Sequence, residues 1–211
     1  MWWNDLDLVK AKIFDLAKNI DLKDNCSIYE KLLSEDNIVI DETLGPVIIG
    51  KGTKICKNTI IKGPVFIGED CFIGNNVFIR GNTYINNNVK LGLSTEIKNS
   101  IIEDNVTIGP QCFIADSKLE SNSYLGAQVR TSNHRLDQKS ICVFINGNIY
   151  DTGKEKLGCL IGKNSALGVQ VVILPGRIIA ENSIFGPKIL IEKNLPSGKY
   201  LLKQQIIKLQ D

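Results

Sequence analysis

The hexamer "GPVIIG" at residues 45–50 returns as "GPVFIG" at 63–68, eighteen positions later. Between and beyond the two copies an aliphatic residue recurs every six positions: Ile49, Ile55, Ile61, Ile67, Ile73, Ile79, Ile85, Leu91 and Ile97. A five-residue step leads to Ile102, Ile108 and Ile114, and a second one to Leu119 and Leu125. After an interruption the interval resumes at Ile161, Leu167, Ile173, Ile179, Phe185 and Ile191. A period of six is neither the 3.6 of an amphipathic helix nor the 2 of a long half-buried strand. It fits very short strands joined by tight corners, with one aliphatic pointing inward per face. Three such faces make an eighteen-residue coil, the interval between the two hexamers.

The pattern therefore predicts an all-β parallel β-helix, a prism of six to seven coils. At about 4.8 Å per coil it stands roughly 30 Å tall. Small or β-branched residues such as Thr53, Thr59, Val65, Cys71 and Val77 fall four positions after each aliphatic. Arg177 breaks that rule. Glycine and asparagine at the corners are expected to supply unusual backbone angles. We divide the chain into a helical cap (1–44), the prism (45–196) with an inserted loop (131–156), and a C-terminal arm (197–211). In the cap, Leu6, Val9, Ile13, Leu16 and Ile20 follow helical spacing behind Asn4 or Asp5. Ser27 and Glu30 form a capping box for a second short helix. Both are expected to close the bottom coil.

Composition narrows the partners. The net charge is +2 with no basic cluster, which argues against nucleic acid and anionic membranes. No apolar run reaches a membrane-spanning length, and "MWWNDLDLVK" lacks the form of a secretory signal. The six cysteines include no CxxC pair and read as reduced, packed side chains, consistent with a cytoplasmic protein. With a single histidine, His134, the chain cannot supply a His₃ zinc site, so no metal is expected.

His134 lies in "RTSNHRLDQKS", where the repeat breaks off. The segment "SICVFINGNIYDTG" that follows reads as a hairpin turning at Asn146-Gly147. A loop extruded from a rigid scaffold is a favoured place for function, although it can equally serve as a subunit contact.

Several stretches carry a family resemblance: "GPVFIGEDCFIGNNVFIRGNT", "STEIKNSIIEDNVTIG", "ADSKLESNSYLGAQVRTSNHRLD", "NGNIYDTGKEKLGCLIGKNS" and "VVILPG". From about Trp3 to Tyr200 the chain resembles the C-terminal, hexapeptide-repeat part of bifunctional sugar-1-phosphate nucleotidyltransferase/acetyltransferases, in their hairpin-bearing archaeal-type branch. The resemblance implies a left-handed coil and a homotrimer. It also implies acetyl-CoA as cosubstrate and a sugar phosphate or nucleotide sugar as acceptor, meeting in clefts between subunits. The nucleotidyltransferase domain of that family is not expected here, since 44 residues precede the first coil and no glycine-rich nucleotide loop is present. A separate nucleotidyltransferase is a candidate partner.

By the same resemblance Arg80 and Lys98 contact the substrate phosphate, Asp116 stands beside the acceptor, and Asn133 contacts acceptor and thioester. Gly168, Val169 and Leu174 fall along the thioester tunnel, the latter two bulkier than the family's residues, and Lys193 falls near the CoA phosphates. The family's general-base histidine falls on Pro110 and its tyrosine on Phe113, so the usual amine-acetylating machinery is incomplete. His134, next to Asn133, is a candidate replacement base. Two functions follow: an acyltransferase, or a catalytically inactive trimeric module that binds a sugar nucleotide or scaffolds an enzyme.

Overall fold

The computed structural model describes residues 1–19 and 37–203. The capping box at Ser27 and Glu30, and most of the C-terminal arm, lie outside them. The described chain is a left-handed parallel β-helix with three flat sheets. Sheet A runs through strands that begin at Val39–Asp41, Ile60–Lys62, Phe78–Ile79 and Glu96–Lys98, and ends at Leu190–Ile191. Sheet B runs from Val47–Ile49 to Ile178–Ile179, and sheet C from Lys54–Ile55 to Lys199–Tyr200. Sheets A and C hold eight strands each and sheet B seven. Parallel pairing thus starts before residue 45, at Val39, and continues past 196, to Tyr200.

The six-residue interval sets the register. Ile49 pairs with Ile67 and Ile67 with Ile85 on sheet B, while Ile55 pairs with Ile73 on sheet C. Every aliphatic of the repeat is at most 3% exposed, and together they form one continuous core. Each contributes about 1.5–3 kcal/mol through burial. The corners bear out the expectation for asparagine but not for the repeat glycines. Left-handed backbone is adopted mainly by Asn58, Asp70, Asn76, Asn88, Asn105, Asn122 and Asn164. The repeat glycines instead permit close approach between coils: a Cβ on Gly50 would lie 2.4 Å from the carbonyl carbon of Gly68. Stacked corner side chains add a ladder, with Asn122 donating to Asn164 at 3.1 Å and Asn164 to Asn182 at 3.0 Å.

Helix α1 (Trp2–Asn19) lies on a flank of the prism, not across its bottom coil. Asn4 and Asp5 stand inside its first turns and do not cap it; Asn4 N–H donates to the Met1 carbonyl. The outward side chains of sheet B explain the location. Strand register stacks Ile48, Phe66, Tyr84, Ile101, Lys118, Leu160 and Ile178 into one stripe. Eighteen helical residues span about 27 Å, close to the height of seven strands. Val9 and Ile13 cover the lower stripe, and Trp2, Trp3 and Leu6 the upper end. The stripe's one charge is neutralised from the helix. Burial alone would pull Lys118 down, but Asp5 at 2.8 Å, with Glu103 and Glu120, holds its pKa above the usual value.

The inserted loop leaves after Arg130–Thr131 and forms an antiparallel hairpin, Cys142–Ile145 with Asn148–Asp151, turning at Asn146-Gly147 as anticipated. Ile141, Val143 and Leu157 at its base pack against Trp2, Trp3 and Leu6, so α1 clamps the loop to the prism. Beyond the loop, Leu119 pairs with Ile161 and the register is intact. Arg177 is half-buried, donates from Nε to the Pro175 carbonyl, and has its pKa lowered by burial and by Arg135. The buried thiols are chemically quiet: desolvation pushes Cys159 up to about 12 and also raises Cys71 and Cys112.

Two substitutions test the register. Ile67→Asp places an unpaired charge in the core and abolishes folding, as read by circular dichroism. Lys54→Glu, on an exposed site of sheet C, shifts stability by no more than about 0.5 kcal/mol. The flank position of α1 gives a further expectation: Trp3→Ala lowers stability by about 3–5 kcal/mol in urea unfolding. A loss near zero would show that the helix is an appendage.

Candidate functional site

The two five-residue steps, 97 to 102 and 114 to 119, fall at the same edge of the prism, where the chain turns from sheet A to sheet B. The loop leaves from this edge one coil above. The shortened corners turn at Asn99 and Asp116, both with positive φ. Removing one residue per corner brings the side chains of three successive coils together. Asp116 is 4% exposed and accepts from Asn99 Nδ2 at 2.6 Å, from Lys98 Nζ at 3.1 Å, and from Asn133 Nδ2. The Asp116 carbonyl accepts from Gly158 N–H, and the Asn133 carbonyl from Leu157 N–H. The cluster thus forms the neck through which the loop leaves and returns.

Below the cluster an open groove of about 660 Å³ follows the same edge. Lys98, Arg80 and Lys62 line it from successive coils of sheet A, joined by Lys10 of α1. Leu44, Pro64 and Phe78 supply its apolar surface. Arg80 is half-exposed and pairs with Glu96 at 3.0 Å; Lys62 pairs with Asp41 at 3.8 Å. Such solvent-exposed pairs are worth little and leave both cations able to turn to a ligand. The Lys98–Asp116 pair is different, because the lysine side chain is only 17% exposed. It holds the upper end of the groove rigid.

The structure therefore assembles Lys98, Asp116 and Asn133 and sets Arg80 on the adjoining groove. His134 follows Asn133 on the exposed side of the neck, its backbone paired with Lys156, and does not line the groove. Arg135 beside it is tied to Asp137, whose carboxyl that hydrogen bond holds well below the usual range. Gly168, Val169, Leu174 and Lys193 lie on the upper coils and do not join the cluster. Val169 and Lys193 are exposed, and Leu174 is half-buried on sheet A. Pro110 occupies an exposed corner between sheets C and A, where its carbonyl accepts from Gln128 N–H. Phe113 lies beside it on sheet A, in a shallow depression with Glu96, Gln111 and Arg130. Lys62, Lys10 and Asn99 escaped the sequence reading. Lys62 was within reach of it, standing eighteen positions before Arg80 in the same register.

Comparison with known proteins places this geometry. The chain is 51% identical over 210 residues to the uncharacterized acetyltransferase YaiX of Escherichia coli strain 536, covering all of this chain and 90% of that one. The chain belongs to the YaiX family of hexapeptide-repeat acetyltransferases. Residues 43–147 match the family described as the GMPPB C-terminal domain. The bifunctional protein GlmU of Methanococcus maripaludis strain S2 is 33% identical over 206 residues, covering 96% of this chain and 48% of GlmU, so the chain spans about half of that relative. Among solved structures, the polySia-specific acetyltransferase NeuO shares the fold at a TM-score of 0.53 and 17% identity, over 76% of this chain and 80% of that one. The expected hexapeptide-repeat architecture and relationship to nucleotidyltransferases hold for this family member. Among the described residues no helix is long and apolar enough to cross a membrane, and no group of three or more His, Cys, Asp or Glu could hold a metal.

The cluster makes its own prediction. Asp116→Ala leaves Lys98 largely buried without its counter-charge and costs about 3–5 kcal/mol in chemical unfolding. The double variant Asp116→Ala/Lys98→Met recovers most of that loss. Failure of the second change to compensate would mean that the Asn99 and Asn133 contacts, not the ion pair, hold the neck.

Proposed function

We propose that this acetyltransferase moves an acetyl group from acetyl-CoA to a sugar phosphate or nucleotide sugar, in clefts between the subunits of a homotrimer. The observation that carries the proposal is the convergence of Lys98, Asn99 and Asn133 on buried Asp116 at the head of a basic groove. Arg80 and Lys98 hold the acceptor's phosphate by charge and hydrogen bonding. Asp116 fixes the Asn133 amide through one N–H and leaves the other free to orient the acceptor or stabilise the oxyanion. The acceptor's amine or hydroxyl attacks the thioester carbonyl, and His134, on the exposed face of the neck beside Asn133 and outside this chain's own groove, takes the proton that it loses where the subunits meet. Collapse of the tetrahedral adduct breaks the carbon–sulfur bond and expels the CoA thiolate, which recovers the proton from the imidazolium. Gly168, Val169 and Leu174 flank the pantetheine arm on the upper coils, and Lys193 meets the CoA phosphates.

Pro110 and Phe113 favour a second reading, a catalytically inactive trimer that binds sugar nucleotides or scaffolds a separate nucleotidyltransferase. Release of free CoA thiol separates the two. Under the enzymatic reading, His134→Ala lowers turnover by about 10²–10⁴-fold while the trimer, near 70 kDa by light scattering from a 23.4 kDa chain, is retained. Asn133→Ala gives a smaller loss. Full activity in both variants would remove His134 and Asn133 from the chemistry. Absence of thiol release while sugar nucleotides bind would establish the inactive module.

A further inference from the structure

The basic edge is longer than one phosphate needs. Lys62, Arg80 and Lys98 occupy equivalent outward positions on three successive coils, as the pairings Ile61 with Ile79 and Ile79 with Ile97 require. Their backbone sites are spaced about 4.8 Å apart and span about 10 Å. A phosphate lying between two neighbouring rungs engages those two cations and leaves the third free for another phosphate. Lys10 adds a fourth cation from helix α1, and among the described residues no carboxylate pairs with it. The lining of the groove carries four cations and one carboxylate, Asp116; Asp116 pairs with Lys98, while Glu96 and Asp41, outside the lining, make exposed pairs with Arg80 and Lys62. At its lower end the exposed side chain of Leu44 offers uncharged surface.

We propose that this groove recognises a diphosphate, so that the acceptor is a nucleoside-diphosphate sugar and not a sugar monophosphate. The inference rests on the acceptor-site reading above and narrows it. The sugar-side phosphate sits between Lys98 and Arg80, and the second phosphate between Arg80 and Lys62. Lys10 closes over the second phosphate from the helix, and the nucleoside lies toward Leu44. Helix α1 is then part of the binding site and determines specificity, besides covering sheet B.

Isothermal titration calorimetry on the full-length protein with inorganic pyrophosphate and orthophosphate tests the ladder. Pyrophosphate is expected to bind at least about tenfold more tightly, the effect of one added charged hydrogen bond. Lys62→Ala and Lys10→Ala each bring the two ligands to within about threefold, whereas Lys90→Ala on sheet C leaves the difference intact. A panel of nucleoside-diphosphate hexoses displaces pyrophosphate, and hexose 1-phosphates do so at least about tenfold more weakly. Equal binding of the two inorganic ligands, binding of neither, or a preference unchanged by both lysine variants would overturn the inference. Thiol release from acetyl-CoA with a hexose 1-phosphate acceptor, in a protein lacking diphosphate preference, would overturn the inference and leave the acyltransferase reading standing.

Discussion

Everything in this molecule depends on the parallel hydrogen-bond ladder between coils. It fixes the distance between equivalent positions and so turns sequence period into vertical columns. Ile49 sits under Ile67, and Ile67 under Ile85, because Gly50 N–H donates to the Ile67 carbonyl and Gly68 N–H to the Ile85 carbonyl. Each column inherits a single environment. The inward columns are aliphatic and dry, the corner columns hold asparagines in left-handed backbone or glycines against the next coil, and the outward columns differ from face to face. Outward on sheet B the column is apolar and takes a helix; on the groove side of sheet A it is cationic.

A regular solenoid offers no concavity of its own. Here concavity comes from departures concentrated at one edge: two corners shortened by a residue each, then a loop released one coil higher. The shortened corners let Asp116 reach groups from the coils below and above it. The helix builds the opposite wall, and its aromatic end grips the base of the hairpin. Fold and site are therefore joined through α1, which touches the outer stripe, the loop and the groove.

The prism was legible in the sequence because its period repeats from Ile49 to Ile191 on both sides of one interruption, and each isoleucine is constrained by a partner on the next coil. The two five-residue steps were visible as counts, but their meaning was not. Only three-dimensional register shows that they fall at the same edge as the loop. Arg80, Lys98, Asp116 and Asn133 were found through family resemblance, whereas Lys62 and Lys10 were missed because neither stands out locally. Lys62 needs the coil register to join Arg80, and Lys10 needs the docking of a helix whose partner stripe is spread over 130 residues of sequence. The same lack of a local signal led to the expectation that the helix would cover the bottom coil. Its apolar spacing shows that it is buried on one side but not what it is buried against.

The neck of the loop has a consequence for how such proteins diversify. Asn133 and Leu157 are joined by a backbone hydrogen bond, His134 and Lys156 by a bridge, and the coil beyond resumes with Leu119 against Ile161. The core therefore registers where the excursion begins and ends but not how long it is. Within it Ile141 and Val143 are held by Trp2, Trp3 and Leu6, so the cassette that evolution or an engineer can lengthen, shorten or exchange without re-optimising the scaffold is the exposed part, residues 135–139 and the turn at Asn146-Gly147.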